Sequence, residues 1–153
     1  MSPFPPSFGL APEGHPIHTL MAEHRRVLEF AAGLAETAVQ IEQSPADADP
    51  AAFEARLDHY IKHLQSAQKH YLREENALFP LLEKRGITGP PAQMWAEHDK
   101  IRALEKEIFA WLETFKEREF RAFGSRLRAL ADQLHQLLTM HYHKEDTILF
   151  PWR

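Results

Sequence analysis

The sequence predicts an all-α protein, an up-down-up-down four-helix bundle with an extended N-terminal arm. Apolar residues recur every three to four positions along four long stretches, and three short breaks separate those stretches. The strict alternation of a strand is absent almost everywhere. Four helices joined by short connections favour an antiparallel bundle. A chain of 153 residues suits one domain with a real core, so we assign 1–16 to the arm and 17–153 to the bundle domain.

The first half of the chain contains the arm and two predicted helices. Residues 1–16 are rich in Pro and Gly, which disfavour a helix. The first helix is predicted from about Ile17 to Gln43, and the segment 44–50 (SPADADP) breaks it. The second helix runs from about Ala51 to Leu78 or beyond, and Pro80 is expected to kink or end it.

The second half repeats this organisation. Residues 85–91 (RGITGPP) form the second break, and the third helix is predicted from about Ala92 to Lys116. The third break, within 117–124, is weaker because no proline marks it. The fourth helix is predicted from about Phe120 to Phe150, where the proline that follows stops it.

One stretch of sequence occurs twice. Residues 70–80 read HYLREENALFP and residues 141–151 read HYHKEDTILFP, so both fit the pattern H-Y-x-x-E-[ED]-x-x-L-F-P. The tripeptide Ala-Glu-His also occurs twice, ending at His24 and at His98. The chain therefore consists of two copies of one unit, in which a single histidine precedes a His-x-x-x-Glu pair. The residues of this pattern are His24, His70 and Glu74 in the first copy and His98, His141 and Glu145 in the second.

The positions of the predicted turns indicate that these residues share one layer of the bundle. In an antiparallel helix pair, residues at the same height are equally distant from the turn. The midpoint of His24 and His70 is residue 47, that of Glu74 and His98 is residue 86, and that of His98 and His141 is 119–120. Each midpoint falls in a predicted break, and a few residues of error correspond to only a few ångströms. We therefore expect the six side chains to converge.

Four imidazoles and two carboxylates in a bundle core predict a metal centre. Such groups are costly to bury unless they are paired or bound to a metal. Imidazole and carboxylate without thiolate suit iron, manganese or zinc, and bundles with inward-pointing ligands of this kind commonly hold two iron or manganese ions. The twofold repeat predicts two histidines on each ion, with Glu74 and Glu145 as bridges and an oxo or hydroxo bridge completing the centre. The alternative is a duplicated core of paired histidines and glutamates.

These motifs give the chain a resemblance to the hemerythrin-like HHE cation-binding family, in its four-His, two-Glu form. The resemblance covers about residues 15–151, including the Leu-Phe-Pro ending of both motifs. It implies a four-helix bundle with two non-haem iron ions. The terminal ligands would be His24, His70, His98 and His141, and the bridges would be Glu74 and Glu145.

The chain differs from the oxygen-carrying hemerythrins, which have His-x-x-x-His in the third helix. Here Met94 and Arg102 flank His98 at four residues on either side, so one histidine is missing and the metal ions would be more open. In this respect the chain is similar to di-iron proteins implicated in iron–sulfur cluster repair, but it lacks their cysteine-containing N-terminal domain.

The resemblance implies a centre that binds or reacts with O₂, NO or peroxide, for sensing, stress response or iron handling. One alternative is a redox enzyme of the peroxidase or NO reductase type. Another is an interaction module whose metal is structural. A catalytic proton donor would come from Tyr71, Tyr142 or His63; no protein partner is indicated.

Several other residues leave alternatives open. Asp146, five residues after His141, could replace Glu145 as a ligand, although the repeat aligns it with Glu75. His59 and His63 could extend a polar channel or form a second site, but a surface position is the simpler prediction. Tyr71 and Tyr142 could be core or could orient the ligands. Two glutamates, Glu23 and Glu97, are expected to be solvated unless one of them accepts an imidazole N–H. The aromatic residues expected in the core are Phe79, Trp95, Trp111 and Phe150.

Composition excludes several other classes. The absence of cysteine removes disulfides, thiolate catalysis and iron–sulfur ligation within the chain. The net charge of −4 does not favour nucleic acid or an anionic membrane as a partner, since both require clustered Lys and Arg. The N-terminal residues do not resemble a signal peptide and no apolar run is long enough for a membrane span, so a cytoplasmic location is expected.

Overall fold

The computed structural model describes residues 16–86 and 89–149, and for residues 16–21, 78, 89–91, 146, 148 and 149 it describes only the backbone. Its helices are α1 (Pro16–Gln43), α2 (Ala51–Arg73), α3 (Phe79–Lys84), α4 (Gly89–Leu112) and α5 (Phe120–Leu149). A π-helical turn, Glu74–Leu78, joins α2 to α3, so these two form one long bundle helix. The described ranges contain no strand, and the predicted all-α four-helix bundle is confirmed.

The helices enclose a single apolar core. α1 packs against α5 and α2, while α4 packs against α5 and α2, so the four long helices close into a ring. Residues from all four helices fill its centre, among them Leu34, Leu64, Ile108 and Leu127. Within the described residues, no helix carries an apolar stretch long enough to cross a membrane. The predicted N-terminal arm lies outside the described residues, apart from Pro16.

Pro80 does not end the second bundle helix, contrary to one of the two predicted outcomes. A proline removes a backbone N–H and clashes with the carbonyl four residues earlier, which here belongs to Asn76. The chain widens into the π turn just before this point, where the N–H of Phe79 bonds to the carbonyl of Glu74. The helix then continues through Pro80 to Lys84. π turns of this kind are frequent at functional sites.

The third bundle helix is displaced towards the N-terminus relative to its prediction. α4 begins at Gly89 rather than Ala92 and ends at Leu112 rather than Lys116. Two prolines follow Gly89, and they are tolerated because the first helical turn has no intrahelical use for its N–H groups. After Leu112 the chain makes a 3₁₀ turn over Phe115–Glu117.

Gly124 allows α5 to approach α1 closely. A Cβ atom at Gly124 would lie 2.5 Å from the backbone nitrogen of Glu42 and 2.7 Å from the backbone oxygen of Ala38. We expect Gly124→Ala to lower the free energy of unfolding by about 1–3 kcal/mol, because neither backbone can move without separating the two helices. Urea denaturation of the metal-free protein measures this.

Gly33→Ala provides the matched control. A Cβ at Gly33 would meet the ring of Tyr60 at 2.6 Å, but that ring belongs to a half-buried side chain that can turn away. The loss of stability should therefore be smaller than for Gly124→Ala. Equal stability of the Gly124→Ala variant and the unaltered protein would contradict this account of the α1–α5 contact.

Candidate metal centre

The six residues singled out by the repeat converge at one level of the bundle. His24 comes from α1, His70 from the end of α2, Glu74 from the π turn, His98 from α4, and His141 and Glu145 from α5. None of the six is more than 3% exposed. Six ionisable side chains buried together require strong compensating interactions, because each would otherwise cost several kcal/mol.

One group of four residues surrounds the first potential metal position. His24, His70, Glu74 and Glu145 each offer one atom, and these atoms lie within 4.8 Å of one another. The Nε2 atom of His24 lies 2.6 Å from Oε1 of Glu145 and 3.1 Å from Nε2 of His70. The Nε2 atom of His70 lies 3.2 Å from Oε1 of Glu74. Two imidazoles and two carboxylates could hold one cation here.

A second group of four shares both carboxylates with the first. Glu74, His98, His141 and Glu145 also offer ligand atoms within 4.8 Å of one another. The Nε2 atom of His98 lies 3.2 Å from Oε1 of Glu74, and that of His141 lies 3.1 Å from Oε2 of Glu145. Because each glutamate belongs to both groups, the arrangement suits two cations joined by two bridging carboxylates.

The outer nitrogens of three imidazoles contact a second set of carboxylates. Nδ1 of His70 lies 3.1 Å from Oε1 of Glu23, Nδ1 of His98 lies 2.8 Å from Oε2 of Glu75, and Nδ1 of His141 lies 2.7 Å from Oε1 of Glu97. These distances define three outer carboxylates, Glu23, Glu75 and Glu97. An ionised carboxylate only accepts hydrogen bonds, so each Nδ1 donates. The outer carboxylates thereby orient each ring and direct its Nε2 lone pair inward.

Each outer carboxylate is paired in turn with a cation nearer the surface. Glu23 pairs with Arg73, Glu75 with Arg102 at 2.8 Å, and Glu97 with Lys144 at 2.9 Å. These are three His–carboxylate–cation chains from the interior to the surface. Burial raises the pKa of each carboxyl, but hydrogen bonds from the histidine and the cation outweigh it. The pKa of Glu23 falls to about 2, and the pKa values of the other two also fall.

The prediction that Glu97 is solvated is wrong, because its side chain is only 8% exposed. The alternative prediction, that one of these glutamates accepts an imidazole N–H, is met by both Glu23 and Glu97. The sequence did contain a signal, since both precede a histidine in the Ala-Glu-His repeat. Glu75 was missed as a partner of His98, although it lies beside Glu74 in the repeated motif. The side chain of Asp146 lies outside the described residues. The repeat equates Asp146 with Glu75, which favours Glu145 as the inner carboxylate.

At the centre of the cluster, carboxylate oxygens and imidazole Nε2 atoms mostly direct their lone pairs at one another. Within the described residues, the only polar groups near the carboxylate oxygens of Glu74 and Glu145 belong to the cluster itself, with imidazole Nε2 atoms 2.6 to 3.2 Å away. Where Nδ1 of a histidine donates outward, its Nε2 is an acceptor, so its contact with a carboxylate needs a proton or a cation between the two atoms. Cations between them would satisfy every one of these atoms, so the residues fit a metal centre.

Without metal, protons on the histidines satisfy some of these acceptor atoms. Burial lowers the pKa of His70, but hydrogen bonds to Glu23 and Glu74 outweigh it and raise the pKa to about 9. Burial likewise lowers the pKa of His141, while Glu145 and Glu97 raise it, with a net increase. Burial raises the pKa of Glu74, but its hydrogen-bonded neighbours bring it well below its usual range. The cluster therefore favours a positive charge at its centre.

Tyr71 and Tyr142 pack directly against the imidazoles. The ring of Tyr142 stacks on that of His24 with centroids 4.1 Å apart, and the ring of Tyr71 lies 4.8 Å from that of His98. Both phenol oxygens are buried, and in the described part of the chain each interacts with the other phenol. Burial raises the pKa of both phenols. The two side chains thus pack against the histidines and restrict the orientation of their rings.

Two further histidines, His59 and His63, do not join the cluster. His59 is exposed, and His63 stacks on Phe30 with centroids 3.9 Å apart. His63 also lines a cavity of about 120 Å³ between α1 and α2, together with Glu23 and His70. The polar channel that the sequence allowed at His59 and His63 stays a prediction, because His59 does not line this cavity.

The aromatic residues predicted to lie in the core differ in their burial. Phe79 is buried as expected, Trp111 packs partly buried against the core, and Trp95 is 41% exposed, so that prediction was wrong. Phe150 lies outside the described residues.

One buried carboxyl was not anticipated. Glu105, on α4, is 2% exposed and accepts a hydrogen bond from Nε2 of Gln68 at 3.2 Å. It lies seven residues after His98, two helical turns along the same face, which is the only signal in the sequence. Its neighbours Lys106 and Glu107 make the stretch resemble an exposed helix face.

Comparison with known proteins agrees with this geometry. A sequence model of the hemerythrin HHE cation binding domain matches residues 15–152, nearly the whole chain. No curated protein shows significant sequence similarity to this chain. The match spans all four bundle helices and all six converging residues, and it confirms the resemblance seen in the motifs. The chain belongs to the hemerythrin HHE cation-binding domain family.

Proposed function

We propose that this protein holds two non-haem iron ions and uses them to bind or react with O₂, NO or peroxide. The ligands would be His24 and His70 on one ion, His98 and His141 on the other, and Glu74 and Glu145 across both. The observation that carries this proposal is the sharing of both glutamates between the two groups of four residues. A single ion would leave one of the two groups of four without a cation, and a core without metal would need protons on its imidazoles.

The donor set supports iron, with manganese or zinc as the competing ions. Imidazole and carboxylate ligands without thiolate suit all three metals. Iron is favoured because the family resemblance implies it, and because bundles with such inward-pointing ligands commonly hold it. When bound, the two ions would supply electrons and Lewis acidity to a small ligand.

The ligand count supports a reactive centre rather than a purely structural one. Each ion would have two imidazoles and two shared carboxylates, which is fewer than the six donors of an octahedral site. The flanking positions in α4 add no donor, because Met94 packs in the interior and Arg102 binds Glu75. Open positions on each ion are what O₂, NO or peroxide require.

A cavity between α1 and α2 supports a route for a small ligand to the centre. The cavity of about 120 Å³ is lined by both Glu23 and His70, so it reaches the edge of the cluster. Its other walls are partly apolar, with Val27, Phe30 and Ala67. A space of this size is large enough for a diatomic molecule or peroxide.

Iron loading tests the proposal. The metal-free protein is loaded with ferrous iron without oxygen, the iron bound per chain is measured, and absorption spectra are recorded before and after exposure to air. Two irons per chain and a charge-transfer band that appears on oxidation are expected. Folded protein that binds no iron, or only one, would contradict the proposal. Chelation that unfolds the protein without any redox change would instead favour an interaction module with a structural metal.

A redox enzyme is the second candidate, and Glu105 favours it. Reduction of peroxide or NO consumes protons, and burial raises the pKa of Glu105 to about 8, so α4 carries a protonated buried acid two helical turns from His98. Turnover of peroxide or NO well above that of free iron would establish enzymatic activity. Tight binding without turnover would favour a sensor or carrier.

The outer carboxylates should control how tightly metal is held. We expect Glu75→Gln to weaken iron binding by roughly 10- to 100-fold, because the neutral amide no longer fixes and polarises the ring of His98. Competition with a chelator measures the affinity. Glu97→Gln should weaken iron binding similarly, through His141. Glu107 is an exposed residue on α4, so Glu107→Gln should leave the affinity for iron unchanged. Unchanged affinity in both outer variants would assign these residues a role in folding alone.

A further inference from the structure

A pair of histidines lies on α2 outside the proposed ligand set. His59 and His63 are four residues apart, which places them on the same face of the helix. His59 is exposed, and His63 is half-buried where α1 packs against α2. Their ring centroids are 4.5 Å apart, with an angle of 70° between the ring planes. The proposed function gives neither residue a role.

The separation of the two rings suits one shared cation. An ion that binds two imidazole nitrogens at about 2.1 Å and at about a right angle holds the ring centroids about 4.5 Å apart, since each centroid lies roughly 1.1 Å beyond its nitrogen. The rings of His59 and His63 already have this separation. Small side-chain rotations would therefore bring a nitrogen of each to the same ion without movement of the backbone. Two histidines four residues apart on a helix are a recurrent metal-binding arrangement.

Neighbouring residues favour the form of the pair that binds metal. The ring of Phe30 on α1 stacks on that of His63 with centroids 3.9 Å apart, and it meets that of His59 edge-on at 5.8 Å. These contacts restrict both rings, which lowers the entropic cost of ordering them around an ion. Slight burial and the positive charges of His59 and Arg26 lower the pKa of His63, and a metal ion binds only the deprotonated imidazole.

One member of the pair lines the cavity that reaches the edge of the metal centre. His63 and His70 both line this space of about 120 Å³, and Glu23 is the one carboxylate among its lining residues. His63 precedes His70 by seven residues, which is two helical turns, or about 10 Å, along the same face of α2. Nδ1 of His70 contacts Glu23 at 3.1 Å. The positive charge of Arg26, which also lines the cavity, disfavours retention of an ion between these groups.

We propose that His59 and His63 form a surface site for a divalent first-row transition-metal cation, and that this site loads the metal centre through the cavity between α1 and α2. The loading role rests on the proposed function, because it needs a centre that takes up iron. Two imidazoles leave the other positions of the ion to water, so the ion is held weakly and exchanges readily. The centre offers two imidazoles and two carboxylates to each ion, and its tighter binding gives the transfer its direction.

The first test detects the surface site independently of the metal centre. Metal-free protein is applied to a column of immobilised Ni²⁺, an ion that imidazole ligands suit. The tethered ion cannot reach the six residues of the centre, which are at most 3% exposed. His59→Gln and His63→Gln should each elute at a several-fold lower imidazole concentration than the unaltered protein. His135→Gln, which removes a histidine from α5, should elute like the unaltered protein.

The column result has two outcomes that contradict the site. Each variant keeps every other histidine, so a change in elution is assigned to the substituted residue. If either His59→Gln or His63→Gln elutes like the unaltered protein, the two imidazoles do not share an ion and the inference is wrong. Passage of the unaltered protein through the column without retention would disprove it as well.

The second test measures the rate of loading. Metal-free protein is mixed with ferrous iron without oxygen, and a chromogenic chelator added at successive times captures the iron that has not yet entered the centre. His59→Gln and His63→Gln should each slow loading several-fold. The final ratio of two irons per chain and the affinity at equilibrium should not change, and His135→Gln should load at the unaltered rate. Unaltered loading rates in both variants of the pair would overturn the loading role.

Failure of this inference and failure of the proposed function are distinguishable. If the column shows the paired site but the unaltered protein takes up no iron, the proposed function fails and the loading role fails with it, while the surface site stands. If two irons are taken up but the column shows no paired site, the proposed function stands and the inference is overturned.

Discussion

Glu74→Ala is expected to abolish binding of both metal ions, not of one. Oε1 of Glu74 lies 3.2 Å from the Nε2 atoms of both His70 and His98, so the carboxylate belongs to both groups of four. Its removal leaves each ion with three protein donors and takes away half of the inner negative charge. We expect iron binding to fall from two per chain to below one, and the absorption band formed on oxidation to disappear. Metal analysis after anaerobic loading measures the first effect directly.

The adjacent residue supplies the matched control. Glu75→Ala removes a carboxylate of the same size from the same turn, but one that binds Nδ1 of His98 from outside. It should therefore weaken binding while preserving the stoichiometry of two at high iron concentration. Glu145→Ala should behave like Glu74→Ala, because Glu145 also contacts histidines of both groups. Full iron content in both Glu74→Ala and Glu145→Ala would disprove the ligand assignment.

The fold and the convergence of the six residues were predictable because the chain is duplicated. A single His-x-x-x-Glu pair occurs in many helices, but two copies within matching motifs constrain each other. The turn midpoints then placed His24, His70, His98 and His141 at one level, and the structure brings them together. Helical periodicity needs no information beyond neighbouring residues, which explains why the helices were predicted to within a few positions.

The features that were missed depend on contacts between distant residues. Glu97 looks like a solvated residue in its own helix, and its burial follows from His141 and Lys144 on α5. Glu105 lies in a charged stretch, and its burial against α2 cannot be read from that stretch. The path of the helix through Pro80 depends on the π turn, which the repeat did not predict, since the second copy stays α-helical to Leu149.

The charges around the centre indicate the kind of ligand it would accept. Each outer carboxylate is neutralised by its own surface cation, namely Arg73, Arg102 or Lys144. Only Glu74 and Glu145 then remain to balance two divalent ions, and they carry half of the required charge. The centre would therefore retain a net positive charge. An anionic ligand, or a ligand that becomes anionic on reduction, is favoured at such a site.

Metal removal is expected to reverse the pH dependence of stability. In the metal-free protein the pKa of His70 is raised to about 9, above its value of 6.5 in the unfolded chain. The stability that this proton contributes is complete below pH 6.5 and is lost as pH rises through 9. It amounts to roughly 3 kcal/mol at most, at 1.36 kcal/mol per pKa unit. Glu105 acts in the same direction, since its pKa of about 8 also lies above its unfolded value. Urea denaturation at several pH values should therefore show falling stability between pH 6.5 and 9.

In the iron-loaded protein the trend should be opposite over this range. A metal ion binds only the deprotonated imidazole, so loading displaces the proton of His70 and binding strengthens as pH rises towards 9. The difference in stability between loaded and metal-free protein should thus widen with pH, and loading at pH 7 should release protons that a pH-stat can count. His70→Gln removes the largest part of the metal-free effect, while Glu105→Gln leaves the proton release intact and lessens the fall of stability with pH in both forms, because Glu105 is outside the ligand set. A metal-free protein whose stability is constant or rises between pH 6.5 and 9 would show that protons do not substitute for metal in this core.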